Sequence, residues 1–115
     1  MKVIIAGSRS VTDLKHVLEA ISQSKYQITE VVSGTARGVD QLGETFANQN
    51  GIPIKQFPAE WSKYGLSAGP KRNVQMAEYA DALIAVWDGV SRGTKHMVST
   101  MTKLGKPTFV WKLKS

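Results

Sequence analysis

Short apolar, β-rich runs that end in glycine-bearing turns recur along this chain of 115 residues. Five such runs can be recognised, at residues 2–6, 30–33, 52–57, 82–87 and 107–111. Glycine-bearing turns follow three of them, at residues 6–9, 33–38 and 87–94. In a parallel sheet, turns of this kind place main-chain N–H groups and helix N-termini along one edge, where α/β proteins hold phosphates.

Apolar residues at helical spacing fill the intervals between the runs. Thr12 is expected to cap the first helix, with Asp13 in its first turn, and another helix is expected from about Pro70. Residues 58–70 show no periodicity and are expected to form a long loop. The alternation predicts a Rossmann-like, doubly wound α/β fold whose five-stranded, mainly parallel sheet has helices on both faces. Pro53, near the start of the third run, favours an edge strand.

The composition is that of a single globular domain covering residues 1–115, with 42% hydrophobic and 21% charged residues. Cysteine is absent, and the two histidines, His16 and His96, lack the spacing of a metal site. Neither a metal nor a resident cofactor is therefore predicted. The N-terminal apolar run is too short for a signal peptide or a membrane span, which indicates a cytoplasmic protein.

Basic side chains outnumber acidic ones, 15 to 9, and give a formal net charge of +6. Basic proteins attract polyanions, so nucleic acid is a candidate partner. The positive residues do not form one run, however. Several of them lie in the C-terminal stretch and fit a solvated surface: Lys103, Lys106, Lys112 and Lys114. Small anionic ligands account for the charge about as well as DNA does.

The first turn, Gly7-Ser8-Arg9, follows the first apolar run. Glycine permits a sharp turn, Ser8 offers a hydroxyl, and Arg9 offers a planar fork for a phosphate or carboxylate. The alternative is a tight strand-to-helix connection with a solvated arginine. All three residues are predicted to bind a ligand.

The second turn gives the strongest signal, because two glycines flank small and basic residues between a strand and a helix. Hydroxyls and amides of this turn can converge on an oxyanion, and Arg37 can add a bidentate contact. Asp40 either satisfies N–H groups of the next helix, which is the favoured interpretation, or accepts from a sugar hydroxyl. The predicted ligand-binding residues are Ser33, Gly34, Thr35, Ala36, Arg37, Gly38 and Asp40.

The third turn follows the fourth run and has a similar composition. Ser91 and Thr94 would place hydroxyls beside the amides of a helix N-terminus. Asp88 either accepts a ribose hydroxyl or caps the turn, and both alternatives stay open. The predicted ligand-binding residues are Asp88, Gly89, Ser91, Gly93 and Thr94.

Two further features lie between the third and fourth runs. Lys71-Arg72-Asn73 opens a helix, where cations are unfavourable unless an anion compensates them, so Arg72 and Asn73 are predicted to bind the ligand. Trp61 and Tyr64 are candidates for a lid that stacks on a base, or else they anchor the loop to the core.

Taken together, residues 7–9, 32–40, 71–73 and 87–94 resemble the motifs of the SLOG superfamily of Rossmann-like nucleotide-binding domains. Over residues 2–111 the chain is similar to the YspA-type, cpYpsA-related branch, which includes many small bacterial and phage proteins. The resemblance implies a homo-oligomer, a dimer or larger, and a role in sensing or sequestering a signalling nucleotide.

More distantly, the chain resembles the LOG phosphoribohydrolases, which cleave the N-glycosidic bond of nucleoside monophosphates. This resemblance implies a catalytic role for Arg72, which matches their arginine. Met97 stands where they have a glutamate, and methionine cannot polarise water, so enzyme activity stays open. Other carboxylates are candidates for a relocated acid, none favoured by the sequence: Glu44, Glu60 and Asp88.

The segment from Ser33 to Asp40 and the pair Arg72-Asn73 are also similar to motifs of DprA, a protein that binds single-stranded DNA. An array of aromatic residues at the spacing of successive bases is not evident. We therefore expect a protein that binds a nucleotide or a nucleotide-derived ligand of the NAD or ADP-ribose type. The alternatives are a nucleotide N-glycosidase and a single-stranded DNA-binding module; a membrane partner is not expected.

Overall fold

Five parallel strands form one sheet in the order β3-β2-β1-β4-β5. The structure, a computed structural model, describes residues 1–113. The strands are β1 (Lys2–Gly7), β2 (Glu30–Ser33), β3 (Ile54–Gln56), β4 (Ala82–Trp87) and β5 (Thr108–Lys112). The predicted Rossmann-like α/β fold is thus confirmed, and every pairing in the described sheet is parallel.

The connections between the strands are helical. The helices are α1 (Leu14–Ser24), α2 (Val39–Gln49), α3 (Trp61–Tyr64), α4 (Ala68–Tyr79) and α5 (Arg92–Lys103), with a 3-10 turn over Gly65–Ser67. Among residues 1–113, no helix has the length and apolar character needed to cross a bilayer.

Helices cover both faces of the sheet. On one face, Val17 of α1 and Val39 of α2 pack with Val3 and Ile5 of β1. On the other face, the buried methionines of α4 and α5 pack with alternate residues of β1 and β4: Met76, Met97, Met101, Ile4 and Leu83. Because side chains of a strand alternate between faces, this double covering requires the continuous apolar run that the sequence shows in β4.

The strand order creates a crevice at the carboxyl ends of β1 and β4. These two strands are neighbours, with Gly7 opposite Val86, but their following helices lie on opposite faces of the sheet. Connections that diverge in this way leave an opening outside the strand ends, which is where open α/β sheets bind ligands. The three glycine-bearing turns that follow β1, β2 and β4 lie at this edge.

Three local predictions need correction. The N-cap of α1 is Asp13 rather than Thr12, because the Asp13 side chain accepts a hydrogen bond from the Lys15 N–H at 2.9 Å. Residues 58–70 are not one irregular loop, since they contain α3, the 3-10 turn and the start of α4 at Ala68. The third strand is shorter than predicted, although its edge position, indicated by Pro53, is confirmed.

Candidate functional site

A cavity of about 280 Å³ occupies the crevice between β1 and β4. Residues of four connections line it, so main-chain and side-chain groups distant in sequence meet there. The polar or charged lining residues are Arg9, Asp40, Arg72, Asn73, Ser91, Arg92 and Thr94, with Gly7, Ala36 and Gly93 beside them and Ala6, Met76 and Met97 as the apolar part.

The connection after β2 forms one wall of this cavity. Thr35 adopts a left-handed conformation, with φ of 63°, and turns the chain so that the Ala36 N–H donates to Asp40 Oδ2 at 3.2 Å. The Ser33 hydroxyl faces away from the cavity, because it donates to Glu44 Oε2 at 2.6 Å and accepts from the Thr35 N–H at 3.1 Å. Ser33 therefore shapes the turn, whereas Thr35 and Ala36 are available to a ligand.

Arg72, in the first turns of α4, is the central cation of the site. Its Nη1 donates to the main-chain oxygen of Gly34, and its Nε donates to Asn73 Oδ1 at 3.0 Å. Partial burial lowers the pKa of Arg72, and the nearby Asp40 carboxylate opposes that effect. The guanidinium is thus fixed in place at the cavity wall by uncharged acceptors.

Asp40 is the buried carboxyl of the cavity, with only 6% of its surface exposed. Burial raises the pKa of Asp40 to about 6, and the Ala36 N–H, Arg72 and Arg9 partly counteract this effect. A buried carboxyl that titrates near neutrality beside an arginine is a typical feature of binding and catalytic sites. The favoured structural role of Asp40 is consistent with its Ala36 contact, yet the side chain also lines the cavity.

The connection after β1 holds the other turns together. Ser8 is buried; its N–H donates to the Val86 oxygen at 3.1 Å, and its hydroxyl accepts from the Asp88 N–H at 2.9 Å. Gly38 lies so close to Ser8 that a Cβ on Gly38 would be 2.4 Å from the main-chain oxygen of Ser8. Ser8 and Gly38 therefore position the turns, while Arg9 is the exposed side chain that reaches the cavity.

The connection after β4 is stabilised by hydrogen bonds to the side chain of Asp88, which lies within it. Asp88 Oδ1 accepts from the N–H groups of Val90 and Ser91, each at 2.8 Å, and these hydrogen bonds lower the pKa of Asp88. This is the capping alternative predicted for Asp88, which does not line the cavity. Ser91 caps α5 by accepting from the Thr94 N–H at 3.5 Å, and Thr94 is buried beneath it.

Two further clefts adjoin the cavity and share Arg9 and Arg72 with it. One, of about 320 Å³, brings Arg9, Arg37 and Arg72 together beside Trp61. The other, of about 390 Å³, lies between Trp61 and His96. The arginines predicted from separate connections are therefore neighbours along one continuous groove.

Not every predicted residue reaches this groove. Gly89 lies against Lys112, and Tyr64 faces an adjoining depression on the far side of Pro70 and His96, where the Lys71 ammonium sits 4.9 Å from the Tyr64 ring centre. The predicted residues that line the groove are Gly7, Arg9, Gly34, Thr35, Ala36, Arg37, Trp61, Arg72, Asn73, Ser91, Gly93, Thr94 and Asp40. Those that do not are Ser8, Ser33, Gly38, Asp88, Gly89 and Tyr64.

Two polar residues of the groove escaped the sequence analysis, Arg92 and His96. Arg92 lies within the predicted turn at residues 87–94, although it was not among the predicted ligand-binding residues, whereas His96 lies two residues beyond that turn, in the first turns of α5. Met97, where the LOG enzymes have a glutamate, is 1% exposed and contributes apolar surface to the cavity.

The groove is suited to binding an anion, and it contains one titratable carboxyl group, that of Asp40. Four guanidinium groups, of Arg9, Arg37, Arg72 and Arg92, line it, and the N-terminus of α5 points to the same edge. Within residues 1–113, no group of three or more acidic or histidine side chains is arranged to hold a metal ion.

Comparisons with known proteins agree with this architecture. The sequence pattern of the YspA, cpYpsA-related SLOG family matches residues 1–64. The X-ray structure of DNA processing protein A (DprA) from Streptococcus pneumoniae is similar over 95% of this chain, with a TM-score of 0.74 and 19% sequence identity. The match covers 49% of that protein, so this chain spans about half of its length. No curated protein sequence matches the chain.

Proposed function

The chain belongs to the YspA, cpYpsA-related SLOG family, and from that premise we propose that its groove binds a nucleotide or a nucleotide-derived ligand. The family and the DprA-like fold indicate a function related to nucleotides or nucleic acids. The finer proposal is a single small ligand, either a nucleotide or a nucleotide-derived molecule of the ADP-ribose type, that the protein senses or sequesters.

The observation that carries the proposal is the convergence of three arginines on one cleft. Arg9, Arg37 and Arg72 come from three different connections, and they line the cleft together with the Gly34–Ala36 segment. Like charges gathered around an opening are costly unless an anion neutralises them. A phosphate group satisfies both the charge and the bidentate geometry of guanidinium groups.

Native mass spectrometry of the purified protein tests the proposal directly, because a retained nucleotide would reveal its own mass. Titration calorimetry with nucleoside mono- and diphosphates and with ADP-ribose then measures the affinity. Arg72→Ala should weaken binding at least tenfold, since a charge-assisted hydrogen bond is lost. Lys95→Ala removes the same charge from an exposed position of α5 and should leave the affinity within a factor of about two.

The result against the proposal is equally definite. If none of these ligands binds and no nucleotide is retained, the groove is not a nucleotide site. If instead single-stranded oligonucleotides bind, with an affinity that falls steeply with salt, the chain is a nucleic-acid-binding module.

A second candidate function, hydrolysis of the N-glycosidic bond of nucleoside monophosphates, is favoured by Asp40. This carboxyl lies in the cavity with Arg72, and its raised pKa of about 6 suits a general base near neutral pH. The carboxylate would take a proton from water as the water oxygen attacks the anomeric carbon. The C–N bond electrons would leave with the base, which takes a proton from solvent.

Release of free base from nucleoside monophosphates, followed by chromatography, decides between binding and hydrolysis. Activity that disappears in both Arg72→Ala and Asp40→Asn would support the enzyme. Intact nucleotide after prolonged incubation with protein that binds it would support the sensor.

A further inference from the structure

We propose that the cleft between Trp61 and His96 holds the heterocyclic base of the ligand, and that His96 is a specificity-determining hydrogen-bond donor there. This inference rests on the proposed function and adds to it the part of the ligand that each portion of the groove recognises. In this arrangement the phosphate binds to Arg9 and Arg72, and the base lies in the cleft of about 390 Å³ between Trp61 and His96.

The hydrogen bonds around Asn73 determine the tautomer of the His96 ring. Arginine has only donors, so the contact from Arg72 Nε identifies the Asn73 atom it reaches as the oxygen, Oδ1. The other amide atom of Asn73 is therefore the nitrogen, which donates to the Gly93 oxygen at 3.3 Å and lies 3.1 Å from His96 Nδ1. His96 Nδ1 must accept, so the neutral ring carries its proton on Nε2.

This arrangement leaves His96 Nε2–H as a donor of fixed orientation. His96 lines the cleft that also contains Trp61, Pro70 and Arg92. Asn73 is 7% exposed and is itself held by a hydrogen bond from Arg72. Two consecutive hydrogen bonds, from Arg72 to Asn73 and from Asn73 to His96, therefore connect the phosphate portion of the groove to the base portion. A ring nitrogen or exocyclic oxygen of a base is the kind of acceptor that such a donor recognises.

Trp61 supplies the aromatic surface. Its ring lies beside Gly69 of α4, where a Cβ would be in van der Waals contact with Trp61 Cη2, at 3.4 Å. Half of the Trp61 surface nevertheless remains exposed, at 50%, and it lines both clefts that contain Arg9 and Arg72. An exposed indole beside arginines is a suitable stacking surface for a nucleotide base.

The test compares nucleotides with ribose 5-phosphate, which lacks a base. Calorimetry with AMP, GMP, CMP and UMP should show at least one nucleotide binding about tenfold more tightly than ribose 5-phosphate to the unaltered protein. Trp61→Leu should remove this advantage by lowering the affinity for the nucleotide much more than the affinity for ribose 5-phosphate, because Trp61 also borders the cleft of the three arginines.

Two substitutions separate a ligand contact of His96 from a structural one. His96→Gln keeps a donor near the Nε2 position, whereas His96→Asn keeps an acceptor for Asn73 and loses the outer donor. The proposal expects about a tenfold loss of nucleotide affinity in His96→Asn and little loss in His96→Gln. A purely structural role for His96 predicts the reverse order, with equal losses for nucleotide and ribose 5-phosphate.

Each outcome has one meaning. If nucleotides and ribose 5-phosphate bind equally to the unaltered protein, the base subsite is wrong while anion binding stands. If neither class binds, and nucleoside diphosphates and ADP-ribose do not bind either, the proposed function fails, and the base subsite fails with it. If the nucleotide preference survives in both Trp61→Leu and His96→Asn, the base lies elsewhere in the groove.

Discussion

The guanidinium of Arg72 donates a hydrogen bond to the main-chain oxygen of Gly34, 38 residues earlier in the chain. The contact joins the start of α4 to the turn after β2, and glycine makes the approach possible. A Cβ on Gly34 would lie 2.7 Å from Arg72 Nη1 and 2.8 Å from Asp40 Oδ2. The second glycine-bearing turn thus fixes the position of the arginine that is central to the candidate site.

Gly34→Ala should weaken ligand binding more than it weakens the fold. The added methyl group meets the ends of two side chains, Arg72 and the buried Asp40, so both must shift, at a cost of about 1 kcal/mol in stability. The displaced guanidinium should lower the affinity for a phosphate ligand about tenfold, measured by calorimetry. In an Arg72→Ala background the same substitution should have almost no effect on affinity. Additive losses in the double variant would contradict this explanation.

Gly7→Ala, in contrast to Gly34→Ala, should act mainly on the stability of the fold and lower it strongly. Its Cβ would lie 1.9 Å from the Val86 main-chain oxygen and 2.8 Å from Val39 Cγ2, so two central strands would have to separate. We expect the free energy of unfolding in urea to fall by about 3 kcal/mol or more. Gly93→Ala is the control, because nothing lies within 4 Å of its Cβ, and alanine in this helical position should leave the stability unchanged or raise it by up to about 1 kcal/mol.

Asp40 should make the stability of the fold depend on pH. Burial raises its pKa to about 6, so the folded protein holds this proton more tightly than the unfolded chain does. The contribution of Asp40 to the free energy of unfolding is therefore complete below about pH 4. It is lost as the pH rises through about 6, and the loss amounts to about 3 kcal/mol. Asp40→Asn should remove this dependence.

Urea unfolding of both proteins between about pH 4 and 8 measures the effect, and the carboxyl carbon shift of Asp40 gives its titration midpoint. The Asn variant should gain stability relative to the unaltered protein as the pH rises. Parallel curves for the two proteins, or a midpoint near that of an ordinary aspartate, would show that Asp40 is not desolvated.

The elements that the sequence predicted well are those buried on both faces or marked by glycine. Glu30–Ser33 and Ala82–Trp87 are strands with the predicted bounds. The continuous apolar run of Ala82–Trp87 is typical of a strand covered on both faces, and the glycine turn after Ser33 marks the end of the other strand. Residues 61–67 were missed because they are exposed throughout, including Leu66 at 95%, and show no apolar face. Thr12 and Asp13 are both good caps, and only the structure distinguishes them.

The site was only partly predictable, for a related reason. Glycine turns identify the edge where a ligand is expected, but not which of their side chains face the groove. Ser8 and Ser33 have suitable hydroxyls, yet tertiary contacts with Asp88 and Glu44 occupy them. His96 carries no local signal, because its role depends on Asn73, 23 residues earlier.

Lys106 provides a last test, since its place in a lysine-rich C-terminal stretch predicts a solvated side chain. Its Nζ instead donates to the main-chain oxygens of Ala77, Glu78 and Ala80, at 2.7, 3.1 and 2.8 Å, at the C-terminal end of α4. These carbonyls have no helical partner, and a cation is favourable at this end of a helix. Lys106→Met keeps the apolar stem and removes the charge, so unfolding should cost about 1–2 kcal/mol less.

Lys103→Met is the matched control for Lys106→Met. It removes the same charge from an exposed residue in the last turn of α5, where only the helix dipole is affected, so the loss should stay below about 0.5 kcal/mol. Urea unfolding at neutral pH measures both variants. Equal losses would mean that the three contacts of Lys106 add nothing beyond its charge. A larger loss in Lys106→Met identifies it as the cation that fixes the end of α4, the helix whose first turns carry Arg72 and Asn73.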